Sequence, residues 1–358
     1  MISIEKKLER HRRFWDMDST DRPLIGFTIG DYFPSRRYSA AQKLLGCTRP
    51  LNPEDIEPAA FLNDYERLFE FSQTVDQDCF YVAEPFTGLP WLEAVFGCSI
   101  RAGEDSFWAD QALDDLADLP NDIDLETNPW YLKYMEFSQA LAELAQDRFM
   151  VGQPILRGPV DVLSALLGHQ QTVLDMCYRP EKARQCLETI GRVFKRFMIA
   201  QQEIIPDFHG GRGIGFYYLW APGNVIWLQE DACALLSPKL YADLVAPVDS
   251  HVLAAQNYNL FHLHPASFFI IDQLIEMDSL KVIQINKDVG GPTVEEMLPA
   301  FKKVLAKKRL VVWGEFDDDE IALLLDQLPA QGLMLHLVAP DAGAAQAQME
   351  TIHTLNAS

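Results

Sequence analysis

Short apolar runs bounded by Gly, Pro or Asp alternate along this chain with segments whose apolar residues recur at helical spacing. That is the pattern of parallel βα units, whose strands are buried on both faces. Eight runs stand out: 23–29 (PLIGFTI), 79–83 (CFYVA), 148–152 (RFMVG), 213–219 (GIGFYYL), 258–263 (YNLFHL), 280–285 (LKVIQI), 309–313 (RLVVW) and 333–337 (LMLHL). Eight strands close a barrel, so the pattern predicts an α/β fold of one domain, a single (β/α)8 TIM barrel over residues 21–358, with a helix over 1–20 ahead of it. The last four units are the cleanest, with helices near 266–277, 293–305, 317–327 and 342–355. Further helices are expected near 125–146, 160–178, 180–203 and 236–255, the last opening with Ser237 as N-cap and Pro238 as first helical residue. The stretch 84–125 reads as an insertion over the barrel mouth. No glycine-rich dinucleotide turn follows an early strand, which argues against two doubly wound halves.

Composition adds mainly exclusions. With 30 Lys plus Arg against 52 Asp plus Glu, the net charge is −22, a field that repels nucleic acid and anionic lipid. The start, MISIEKKLERHRRFWD, is a charged amphipathic helix without the apolar core of a signal peptide, and no apolar run approaches a membrane span, so a cytoplasmic protein is expected. Cys47, Cys79, Cys98, Cys177, Cys186 and Cys233 lie far apart, with no metal-knuckle spacing, and read as reduced thiols.

Chemistry in such a barrel sits at the carboxyl ends of the strands. That filter selects Asp31, Glu84, Arg157, Asp161, Trp220, His262, His264, Gln284, Asn286, Lys287, Glu315 and His336. His262 and His264 are two apart in a strand and share a face; with His336 from the last strand they would make a three-nitrogen set suited to zinc with an open position. A hydrogen-bonded polar layer without metal gives the same pattern. Glu315 is a fourth ligand or a base. Arg157 suits capture of a substrate carboxylate or phosphate, or an internal pair with Asp161. Tyr217, Tyr218, Trp220 and Trp227 either wall a flat ligand or belong to the core. Tyr218, Trp220 and Gln284 are the cofactor-binding candidates, and Glu315, Arg157 and Glu84 the candidates for catalytic roles.

The segments GPVDVLSALLGHQQTVLDMCYRPEKARQCLETI, YYLWAPGNVIWLQEDACALLSPKLYADLVAPV, FHLHPASFFIIDQL and LKVIQINKDVGGP resemble, in this order, the uroporphyrinogen decarboxylase superfamily, over about residues 20 to 340. The resemblance implies a (β/α)8 fold and one of two chemistries: cofactor-free decarboxylation of a tetrapyrrole, or methyl transfer from methylcobamide to a thiol. The decarboxylases carry an Arg-Gln-Ala-Gly-Arg-Tyr-Leu-Pro segment whose arginines clamp carboxylates; here Phe27 and Asp31 stand in those places, with Arg36 and Arg37 as partial substitutes downstream. The methyltransferases hold zinc through His-x-Cys and a later Cys; here His262 matches the histidine, His264 replaces the first cysteine, and His336 and Ala339 lie near the second.

The resemblance therefore implies a metal-assisted, corrinoid-linked methyltransferase, with zinc at His262, His264 and His336, methylcobamide as co-substrate, a corrinoid protein as partner and a homodimer as a common assembly. A cofactor-free decarboxylase using Arg157 and Glu84 or His336, and a non-catalytic corrinoid or porphyrin binder, are the alternatives.

Overall fold

Most of the predicted runs become strands in the computed structural model, which describes residues 2–357. The twelve strands are β1 (Leu24–Ile29), β2 (Val82–Ala83), β3 (Ile100–Ala102), β4 (Phe107–Ala109), β5 (Met150–Val151), β6 (Arg212–Ile214), β7 (Leu219–Ala221), β8 (Val225–Gln229), β9 (Tyr258–Leu263), β10 (Val282–Asn286), β11 (Arg309–Gly314) and β12 (Leu333–Ala339). Six parallel strands form one sheet in the order β1-β12-β11-β10-β9-β8, and β2 and β5 form a separate parallel pair. Helices separate the sheet strands from β8 to β12, and the last, Ala342–Ala357, follows β12. The predicted ring of eight continuously laddered strands is not formed among the described residues.

At both seams buried side-chain amides stand in for backbone ladder. Gln77 Oε1 accepts from Phe27 N of β1 at 2.9 Å, next to a backbone bond from Asp78 N to Ile25 O. On the other side Gln153, just past β5, donates to Trp227 O at 2.6 Å and accepts from Trp227 N at 3.0 Å. A glutamine amide offers an N–H donor and a C=O acceptor of the same geometry as a peptide, which suits it to this role.

The predicted fourth strand is corrected. Residues 212–221 are an antiparallel hairpin of β6 and β7, and the strand that joins the sheet is β8, which begins only at Val225. The YYLW run does not continue as a strand because the backbone turns at Tyr218, whose φ is 54°. The helix Ile4–Asp16 buries Leu8, His11, Phe14 and Trp15 on one face, and Trp15 Nε1 donates to Trp220 O at 2.7 Å. Trp220 is thus packed under the N-terminal helix and its Nε1 donates to Phe208 O at 2.8 Å.

The predicted excursion over the mouth is present as the β3–β4 hairpin. No helix among the described residues is long and apolar enough to cross a membrane.

Gly215 marks a tight point between hairpin and sheet: a Cβ there would lie 1.9 Å from Gln153 O and 2.2 Å from Glu84 Oε2. Gly215→Ala must therefore push the 215–217 segment away from Gln153. A loss of about 1–3 kcal/mol is expected in denaturant unfolding, the range for overpacking; an unchanged midpoint would show that this segment yields freely.

Candidate active site

Register sets up the site. Gln229 of β8, His262 of β9 and Gln284 of β10 face one another on a single rung of the sheet. Side chains alternate, so Asp231, His264 and Asn286, each two residues on, lie one layer nearer the carboxyl ends on the same face. All of these except Gln284 border a cavity of about 460 Å³, also lined by Tyr32, Phe33, Phe107, Arg157, Phe216, Tyr217, Lys287, Asp288 and Trp313.

Asp231, His262 and His264 each offer a ligand atom, all within 4.8 Å of one another. Asp231 Oδ1 is 3.8 Å from Nε2 of both histidines. The tautomers follow from the opposite ring nitrogens. His264 Nδ1 donates to Asp288 at 2.7 Å, and His262 Nδ1 donates to Gln284 Oε1, with the Tyr217 hydroxyl 2.9 Å away. Each imidazole therefore turns an Nε2 lone pair toward Asp231. Gln284 is fixed in turn by donating to Asn286 Oδ1 at 2.8 Å, and Gln229 holds Asp231 Oδ2 at 3.0 Å.

Two imidazoles and one carboxylate, each oriented by a hydrogen bond behind it, fit a divalent transition metal with room for an exogenous ligand. Burial pushes the His262 pKa down, which keeps it a neutral donor. For His264 burial pulls the same way, but its bond to Asp288 and the Asp231 charge outweigh it and hold the pKa above the ordinary value.

The predicted third metal ligand is elsewhere. His336 is fully buried, its Nδ1 donating to Tyr217 O at 2.9 Å and its Nε2 accepting from Thr28 Oγ1 at 2.9 Å. Both ring nitrogens are occupied, so no lone pair is left for a metal, and burial brings its pKa down to about 4. Asp231 takes its place. The strand-end criterion would have found it had VIWLQ been read as the fourth strand, because Asp231 stands just past β8.

The other candidates separate. Glu315 is exposed and outside the cavity; only its carbonyl is engaged, by Lys287 Nζ at 2.9 Å. Trp220 and Tyr218 do not line the cavity either: Tyr218 accepts from Arg37 at 2.9 Å beneath it. Gln284 acts behind His262. Arg157 does line the cavity, paired with Glu93 at 3.2 Å rather than with Asp161, whose Oδ1 accepts from Ala232 N at 2.7 Å.

Glu84 is buried outside the cavity wall and accepts from Phe216 N at 2.8 Å, so it secures the segment that presents Phe216 and Tyr217. Burial raises its pKa to about 7 from 4.5, against the opposing Phe216 N–H and Arg37. A raised carboxyl binds its proton more tightly folded than unfolded, so its contribution to stability falls as pH rises from 4.5 through 7. Comparing unfolding free energies of the wild type and Glu84→Gln across that range should show the wild type losing ground to the variant with rising pH; a constant difference would contradict the raised pKa.

The fold and the site define the class: an α/β protein with a central parallel sheet and a polar, metal-competent cavity at the strands' carboxyl ends. Its fold is similar to that of a methyltransferase from Methanosarcina mazei, with a TM-score of 0.66 at 14% identity, over 96% of this chain and 97% of that one. No family model and no curated protein matches the chain.

Proposed function

We propose that this protein is a metal-assisted methyltransferase, with zinc held by Asp231, His262 and His264 and an acceptor bound in the adjoining cavity. The observation that carries the reading is the convergence of two imidazole nitrogens and a carboxylate oxygen within 4.8 Å on a cavity wall. The fold shared with a methyltransferase supports it. Zinc bound there would supply Lewis acidity, lowering the pKa of an acceptor thiol or hydroxyl.

The chain's own residues prepare that site. Gln284 and Asp288 fix the ring orientations, Gln229 aims the carboxylate, and the aromatic walls exclude water from the acceptor. The cavity suits a small acceptor, so a methylcobamide donor would approach from the mouth, delivered by a corrinoid protein; exposed Phe33 and Val289 lie on that rim. The decarboxylase reading keeps Arg157 on the cavity but loses the two further arginines: Arg36 bridges Asp31 and Asp105, each at 3.3 Å, and Arg37 is bonded to Tyr218.

Tag-free protein should contain zinc and should convert methylcob(III)alamin to cob(I)alamin in the presence of a thiol or phenol acceptor. Zinc-free protein that His262→Ala leaves unaltered in zinc affinity would remove the reading.

A further inference from the structure

The hydrogen-bonding groups on the cavity wall fall into two sets. Three wall carboxylates are hydrogen-bonded, Asp231 by Gln229, Asp288 by His264 and Asp105 by Arg36, and the fourth, Glu93, is ion-paired with Arg157. Lys287 is engaged too, by Glu320 and by the Glu315 carbonyl. Two donors are not fully engaged, the Asn286 amide and the Arg157 guanidinium, and both residues line the cavity. The Asn286 side chain accepts from Gln284, and no partner takes its amide N–H among the described residues.

Arg157 meets Glu93 through one terminal nitrogen, and its other N–H groups have no protein partner among the described residues. Glu93 is fully buried and, among the described residues, has no other cation beside it; Arg157 itself lines the cavity, with those N–H groups open to a ligand. Glu93 first, then Asp161 and Asp231, keep Arg157 charged, against burial. A ligand that fills this cavity cuts these donors off from water, and a donor without an acceptor then costs free energy, so the ligand should bring acceptors. The walls between the donors are rings: Tyr32, Phe33, Phe107, Phe216 and Trp313.

From this arrangement we infer that the substrate is an oxyanion on an apolar, ring-sized body, its carboxylate or sulfonate captured by the free edge of Arg157 and its body packed among the cavity aromatics. The inference deepens the methyltransferase reading by naming the substrate class. It rests on the cavity being the reaction site and does not require the metal.

The test is calorimetric titration with benzoate, benzenesulfonate and neutral benzamide, on metal-free and on zinc-loaded protein, so that failure to bind zinc is read separately. One of the two anions should bind the wild type at least tenfold more tightly than benzamide, and Arg157→Gln should lose roughly that factor, the scale of a charge-assisted hydrogen bond. Because Arg157→Gln leaves Glu93 buried and unpaired, the double variant Glu93→Gln/Arg157→Gln is titrated beside it and should show the same loss. Which anion binds better tells carboxylate from sulfonate. Benzamide binding as tightly as both anions, an unchanged affinity in the double variant, or no anion binding to the wild type would each overturn the proposal.

Discussion

His264→Ala is expected to take bound zinc from one per chain to none after dialysis of tag-free protein against a weak chelator. Removing His264 leaves only Asp231 and His262, too few ligands for a tightly held ion. Asp288→Asn tests the same geometry more gently. It weakens the acceptor that holds the His264 Nδ1–H, and zinc affinity should fall about 10–100-fold while the ligands themselves are intact. The control is His336→Gln, which should keep its zinc, since both nitrogens of that ring already serve Tyr217 and Thr28. Zinc retained by His264→Ala, or lost by a folded His336→Gln, would mean that the metal lies in another place.

Asp78→Ala should cost about 3–5 kcal/mol of stability in denaturant unfolding, the range for removing one partner of a buried ion pair. Asp78 is fully buried; its carboxylate grips both terminal nitrogens of buried Arg22 and accepts from Ile25 N at 2.9 Å. It sits at the seam where β1 meets the segment entering β2, so its loss strands the Arg22 charge and frees a backbone N–H together. Arg22→Met/Asp78→Ala, which removes both buried charges and leaves partly exposed Arg10 its bond to Asp21, should lose less than the sum of the single changes. A loss below about 1 kcal/mol for Asp78→Ala would show that water reaches Arg22.

Particular residues show how far the chain could be read before its fold was known. The runs that became β1 and β9 to β12 were legible because strands buried on both faces are unbroken and apolar. The Ser237 cap was legible because its chemistry is local: Ser237 accepts from Leu240 N. The His262–His264 pair was legible because alternation along a strand needs no knowledge of the neighbours. The fourth strand was misplaced because GIGFYYL and VIWLQ are equally apolar and β-rich, and only the reversal at Tyr218 separates them. Asp231 was missed as a direct consequence.

What the amino-acid order determined was therefore everything with a short range: the alternation of strand and helix, the caps, the acidic surface, and two imidazoles on one face. The tertiary structure alone decided that Asp231, and not His336, stands with His262 and His264 in a cluster that could hold a metal. Metal competence depends on depth along the sheet and on which ring nitrogen keeps its lone pair, and both are fixed by hydrogen-bond partners distant in the chain.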